Sequence, residues 1–231
     1  MDLSDRMKEY ERVTKSQLMK QTPMIIRIDG KAFHTWTKGL DRPFDKRFYA
    51  AMAKTAQSLA NSIQGATFVY GQSDEISIFV RDYTNMGSHM WFDGSIQKIA
   101  SVSASMATAY FNKYAAELGI DKKVPAFFDA RVFNLPLHEV CNYFIWRQKD
   151  FHRNSIQMCA RQYLGHKGSQ GLKSQDMVDA MRQLEEPFDW YKDVDPIFRR
   201  GYSYVAKQDA VCLNVPDFVE CREFIEVHVI N

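Results

Sequence analysis

A chain of 231 residues is long enough for one large domain, or for one domain carrying an extension. Its 45% hydrophobic and 25% charged residues are the balance of a globular protein and exclude a disordered or fibrous chain. A formal net charge of only +2 excludes a global basic field, so any nucleic-acid surface has to come from local clustering.

The first residues, Met1-Asp2-Leu3-Ser4-Asp5-Arg6, lack the apolar stretch of a signal peptide, and no run is long enough to span a membrane. The four cysteines (Cys141, Cys159, Cys212, Cys221) make no CxxC pair and no zinc-like spacing with histidine. They are expected to be reduced and mostly buried, and the expected location is cytoplasmic.

Residues 2–20 are charged with helical apolar spacing (Leu3, Met7, Tyr10, Val13, Leu18), which predicts one helix. Pro23 ends it and opens Met24-Ile25-Ile26-Arg27-Ile28, rich in β-branched residues, which predicts a buried strand. After a turn over Asp29–Phe33, Asp45 is placed to cap a helix running to about Asn61, with Phe48, Met52, Ala56 and Leu59 on one face. Thr67-Phe68-Val69-Tyr70 and Ile76-Ser77-Ile78-Phe79-Val80 flank the turn Gln72–Glu75 and predict a hairpin. A second long helix is expected from about Ser95 to Glu117, its small residues letting it lie close on a sheet, and Ala126–Phe133 reads as a further strand.

The order strand–helix–strand–strand–helix–strand is the split βαβ, ferredoxin-like pattern, an α+β class that also underlies polymerase palms. From Leu137 the pattern turns helical: one long helix or two abutting ones to Leu164, a polar glycine-rich loop over Gly165–Gly171, and a short helix over Ser174–Leu184. Pro187 then breaks the chain, and two β-like runs follow, Gly201–Lys207 and Phe224–Val229. The expected organisation is a palm-like unit over 1–135 and a helical or mixed extension over 136–231, packed together as one unit.

Two acidic turns carry the chemistry. Asp29 ends the first strand and Asp74 sits in the hairpin turn; on neighbouring strands both carboxylates arrive at one end of the sheet. Two carboxylates and a backbone carbonyl make a hard oxygen site suited to Mg²⁺, and two such ions about 3.5–4 Å apart serve the attacking and leaving oxygens of a phosphoryl transfer. Gly30 lets the backbone approach a phosphate, and Arg27, Lys31 and His34 add cationic or donor groups beside the acids. Each turn taken alone reads as a solvated loop rather than a metal site; what counts is that the two occur on adjacent strands.

Downstream, Trp146-Arg147-Gln148-Lys149-Asp150-Phe151-His152-Arg153-Asn154 places Arg147, Asp150 and Asn154 on one helical face and Gln148 and His152 on the next. Such a face is equipped to grip phosphates and a base edge, while an internal Arg147–Asp150 ion pair on a solvated helix is the alternative.

Taken together, Arg27-Ile28-Asp29-Gly30-Lys31-Ala32-Phe33-His34, Tyr70-Gly71-Gln72-Ser73-Asp74-Glu75-Ile76-Ser77 and the Trp146–Asn154 segment closely resemble the tRNA-histidine guanylyltransferase family, in that family's order and spacing. The resemblance implies a palm-like nucleotidyltransferase that adds nucleotides in the 3′-to-5′ direction. It implies two Mg²⁺ ions on Asp29, Asp74 and the Gly30 carbonyl, with Glu75 beside the catalytic acids. It implies a nucleoside triphosphate held by Asp29, Gly30, Lys31, Ala32, Phe33, His34, Ser73 and Asp74. Arg27, Arg147, Gln148, Asp150, His152, Arg153 and Asn154 would then receive the RNA 5′ end or a second triphosphate. ATP and GTP would be substrates, tRNA the partner, and the assembly a homotetramer.

His152 and Asn154 match the family, whereas the tyrosine–asparagine pair that follows in its eukaryotic members is absent from Ser155-Ile156-Gln157-Met158-Cys159. That departure resembles the bacterial, archaeal and phage relatives, which repair 5′-truncated tRNAs by templated addition, rather than enzymes dedicated to tRNA-histidine. A palm-type nucleotide cyclase shares the acids but needs no RNA-gripping helix. A non-catalytic RNA-binding module predicts stacking aromatics in the strands, and the strand runs carry no such motif.

Overall fold

The computed structural model describes residues 1–83 and 87–229, with Val229 as backbone alone. Strand β1 (Met24–Gly30) shows why its run is continuously apolar rather than alternating: both faces of the sheet are covered. Met24, Ile26 and Ile28 enter one core with α3 (Lys46–Ser62) and α4 (Ile96–Glu117), while Ile25 enters a second core with α5 (Leu137–Tyr163). Each fully buried Ile or Phe of these strands contributes roughly 1.5–3 kcal/mol.

Strands β2 (Ala66–Gln72) and β3 (Glu75–Val80) form the expected hairpin, and β4 (Phe128–Asn134) flanks β1 on the other side. The sheet has six strands in the order β4-β1-β3-β2-β5-β6, all pairs antiparallel. Its last two strands, β5 (Tyr202–Val205) and β6 (Ala210–Cys212), come from the carboxy-terminal third, which therefore completes the same sheet.

Asp45 caps α3 as its position predicted, accepting from the amides of Arg47 (2.9 Å) and Phe48 (3.2 Å). In α4 the buried stripe Ser103, Ala107, Phe111, Ala115 falls at helical spacing, and its small members bring the helix close to β1 and β4. The long helix α5 changes sides along its length. Val140, Cys141, Tyr143 and Phe144 lie on the second core, whereas Phe151, Ile156, Cys159 and Ala160 join the first.

Three local expectations differ. The amino-terminal helix, α1 (Leu3–Arg12), is shorter than 2–20 and buries no residue. Beyond it the chain has a better use for its backbone: Gln17 bridges Ser95, Leu18 N donates to Gly94 O (2.9 Å), and Asn134 Oδ1 accepts from Met19 N (2.9 Å). The glycine-rich stretch after α5 contains a short helix, α6 (Gly165–Ser169), between the left-handed glycines Gly165 and Gly171. The final β-like run is a helix, α10 (Glu223–Val229); Arg222, just before it, pairs with Glu226 one turn on (2.8 Å), and Ile225 is buried among Phe68, Val215 and Phe218. Packing against an existing core outweighed β-propensity there.

The remaining elements are α2 (Phe33–Trp36), a 3₁₀ turn at Trp91–Gly94, α7 (Ser174–Arg182), α8 (Trp190–Asp193), α9 (Pro196–Arg200) and a second 3₁₀ turn at Ala206–Gln208. No described helix is long and apolar enough to cross a membrane. All four cysteines are free, with Cys141 and Cys159 buried.

Candidate active site

Register brings the acids together. Asp29 is the cross-strand partner of Glu75 on β3 and of Asp129 on β4. The amide of Gly30 donates to Asp74 O (3.1 Å), tying the end of β1 to the β2–β3 turn. That turn has two residues, Ser73 and Asp74, between the paired Gln72 and Glu75, and Ser73 lies at φ +47°, which side-chain-bearing residues disfavour. A Cβ at Gly30 would overlap the Phe33 ring, which is itself locked among Phe48, Phe111 and Phe128, so glycine is required by close approach. Ala32 adopts the left-handed region (φ +55°) and turns the chain into α2, leaving Lys31, Ala32 and His34 exposed.

Electrostatically the acids are in tension. Burial, reinforced by the Asp29 charge, pushes the Asp74 carboxyl up to about 6. Burial and the neighbouring Asp129 raise Asp29 likewise. Like charges held together in a poorly solvated site favour protonation or a cation between them.

Beside the acids opens a cavity of about 360 Å³. Gly30, Ala32, Phe33, His34, Ser73 and Asp74 line it. Leu40, Pro43, Phe44 and Phe48 supply apolar walls, with Asp41, Arg42 and Asp45 among them. Concave, largely apolar and carrying a few convergent polar groups, it has the make-up of a small-molecule site. From α5 come Met158 and Arg161. Asp29 and Lys31 do not line it; the alternation of β1 puts Asp29 on the same side as Ile25 and Arg27, the side facing α5.

On that second side Arg147 reaches Glu75 with two parallel bonds, Nε to Oε1 and Nη2 to Oε2, both 2.7 Å. Gln72 Nε2 also donates to Glu75 (3.2 Å), and Arg147 extends to Asp150 (3.1 Å), which in turn pairs with Arg153. Burial raises the Glu75 carboxyl, and the Arg147 guanidinium opposes the rise. Gln148 is buried too: its amide donates to Arg200 O (3.3 Å) and Pro216 O (3.0 Å) and accepts from Phe218 N (2.7 Å). Arg147 and Gln148 therefore face the interior rather than solvent and anchor the hairpin turn and the carboxy-terminal segment.

His152 packs edge-on to Trp190 (5.5 Å); burial lowers its pKa, and Nε2 finds no partner among the described residues. Arg153 and Asn154 are exposed, and Asp150 is half-buried. Arg27 lies half-buried opposite Arg131 on β4, with no ion pair among the described residues.

Sequence reasoning did not identify the cavity wall of residues 37–44, nor Phe48, Tyr49 and Met158 as site residues, nor Asp129 as a neighbour of Asp29. A helical-wheel signal existed for part of this, since Asn154, Met158 and Arg161 follow one another at four- and three-residue intervals along α5. The loop residues carried none.

Carboxylates crowded at one end of an antiparallel sheet, beside a cavity, are the kind of arrangement that serves phosphoryl transfer. Residues 4–136, more than half of the chain, match the family model described as tRNAHis guanylyltransferase (Thg1). The chain belongs to that family, whose members are nucleotidyltransferases. A bacterial tRNA(His) guanylyltransferase (Thg1)-like protein solved in complex with ATP is 43% identical, with full coverage of both chains and a TM-score of 0.94. A second, in complex with GTP, is 38% identical over 99% of each chain, with a TM-score of 0.83. The probable tRNA(His) guanylyltransferase of Mus musculus is 31% identical over 140 residues, 58% of this chain and 45% of the mouse protein, so the match spans under half of that relative's length.

Proposed function

We propose that the protein extends tRNA at its 5′ end in the 3′-to-5′ direction, by templated addition to 5′-truncated tRNA. The observation that carries this reading is the convergence of Asp29, Gly30 and Asp74 beside a cavity lined by Gly30, Ala32, Phe33, His34 and Ser73. Support comes from the likeness to the two bacterial proteins in complex with ATP and GTP, and from the family's tRNA chemistry.

Mg²⁺ fits the donors present. Among the described residues no three His, Cys, Asp or Glu side chains cluster as a metal site. Asp29, Asp74 and the Gly30 carbonyl are instead an oxygen set that leaves positions for water and phosphate, the habit of Mg²⁺. Bound there, two ions would neutralise phosphate charge, activate the attacking oxygen and stabilise the leaving one.

The chain's own residues do the positioning. The apolar walls around Phe44 and Phe48 receive the base, and the Gly30–His34 segment and Ser73 receive the triphosphate. On the other side of the sheet Arg27, Arg153 and Asn154 receive the RNA 5′ end, with Asp150 orienting Arg153. Arg147, Gln148 and Glu75 act indirectly, by fixing α5 against the turn that carries Asp74. His152, held against Trp190, steadies the same helix. Two substrates thus approach the acids from opposite faces of the sheet.

In the first step a 5′-monophosphate oxygen attacks the α-phosphorus of ATP and displaces pyrophosphate. In the second, the 3′-hydroxyl of the incoming GTP attacks the activated 5′ phosphorus and AMP leaves. A 5′-triphosphorylated RNA enters at the second step and releases pyrophosphate. We place the protein in the cytoplasm, as a homotetramer in which residues 1–135 and 136–231 of each chain form one unit.

The test varies the base opposite the missing 5′ nucleotide in a truncated tRNA and supplies each nucleoside triphosphate in turn. Addition that follows the opposite base supports repair. A single G added whatever the opposite base supports tRNA-histidine guanylylation instead.

A further inference from the structure

Beneath the turn that carries Asp74 lies Tyr49, near the start of α3. Its ring is 2% exposed and is held edge-on by Phe198 (4.7 Å), Phe48 (5.6 Å) and Phe44 (6.2 Å), so its direction is fixed. The hydroxyl is buried, and no group among the described residues satisfies it in hydrogen-bond geometry. The Asp74 carboxylate, the Cys159 thiol and the Ser73 hydroxyl all act on it electrostatically, and Tyr49, Ser73 and Asp74 line the same cavity.

Ser73 is the other anomaly. At φ +47° glycine would fit without strain, yet the chain places a hydroxyl there, beside both Tyr49 and the Asp74 carboxylate. A buried polar group without a partner and a strained residue next to it are two departures from good packing at one place, beside the acids.

We propose that Tyr49 is a positioning residue whose hydroxyl donates to Ser73 Oγ when the nucleotide binds, so that Ser73 in turn donates to Asp74 and sets its carboxylate. In such a relay the phenol O–H is the donor, and the Ser73 hydroxyl both accepts from it and donates onward. The inference rests on the reading that the cavity holds a nucleoside triphosphate at Asp74.

Wild type, Tyr49→Phe, Ser73→Ala and the double variant are compared by calorimetric titration with Mg–ATP and by thermal unfolding. The relay predicts that Tyr49→Phe unfolds no lower than wild type but binds Mg–ATP roughly five- to tenfold more weakly. The double variant should bind no more weakly than Ser73→Ala alone, because the phenol acts through Ser73. Wild-type affinity in Tyr49→Phe, or losses that multiply in the double variant, would overturn the relay while leaving the nucleotide site standing. Absence of Mg–ATP binding in the wild type would overturn both the site reading and the relay.

Discussion

Arg147 and Glu75, 72 residues apart in sequence, meet through two parallel hydrogen bonds of 2.7 Å, with both side chains about nine-tenths buried. Glu75 immediately follows Asp74, so this pair fixes the distance between α5 and the acidic turn. A fork-to-fork guanidinium–carboxylate contact also fixes relative orientation, which lysine would not do. The pair's effect on chemistry is therefore transmitted through geometry rather than through contact with substrate.

It follows that Arg147→Ala costs folding stability first. Leaving Glu75 buried without its partner is expected to cost about 3–5 kcal/mol, read as a lower urea midpoint. Pairing Arg147→Met with Glu75→Gln should recover much of that loss, since no buried charge is then left alone. Equal loss in the single and double variants would show that the ion pair is not the anchor.

Asp74 behaves oppositely. Its folded pKa of about 6 lies above the usual carboxylate value near 3.9, so the fold prefers the protonated form. Metal-free protein should therefore lose stability as pH rises from about 4 to 6. At pH 7 Asp74→Asn should raise the unfolding temperature of metal-free protein, by the equivalent of up to about 3 kcal/mol, while abolishing nucleotide addition. A lowered unfolding temperature would contradict the tension assigned to the acids.

Asp45 supplies the contrasting carboxylate. Its burial is offset by hydrogen bonds from Arg47 and from the amides of Asp41, Phe48 and Arg47, which bring the group down to about 2. A depressed carboxylate contributes stability that is complete above about 4 and lost as pH falls toward 2. Asp45→Ala should thus cost roughly 1–2 kcal/mol at pH 7. The gap to wild type should narrow across that acid window, as followed by circular dichroism.

Arg27 and Arg153 have different work. If they meet RNA phosphates, Arg27→Ala and Arg153→Ala should each weaken tRNA binding across sequences and lower the slope of log affinity against log salt by about 0.7–0.9. Unchanged salt dependence in both would remove them from the RNA path.

Much of this is legible in the sequence alone. Asp45 announced a helix start, and the apolar runs at 24–28, 67–70 and 76–80 announced strands, because capping and burial leave local traces. The meeting of Asp29 and Asp74 was readable from strand order. The inward direction of Arg147 and Gln148 was not, since a helical wheel shows which residues share a face but not what that face meets. Phe224–Val229 misled for a related reason: its partners, Phe68 and Phe218, come from elsewhere in the chain. The cavity loop at 37–44 had no periodicity to betray it.

Direction of synthesis is the claim on which the rest depends. A tRNA lacking its first nucleotide and bearing a 5′-triphosphate is incubated with Mg²⁺ and α-phosphorus-labelled GTP opposite a templating C, using wild type, Asp29→Ala and Asp74→Ala, and the label is mapped. The account predicts label in the new 5′-terminal nucleotide with wild type and none with either variant. Label at the 3′ end, or undiminished 5′ labelling by Asp29→Ala or Asp74→Ala, would contradict it.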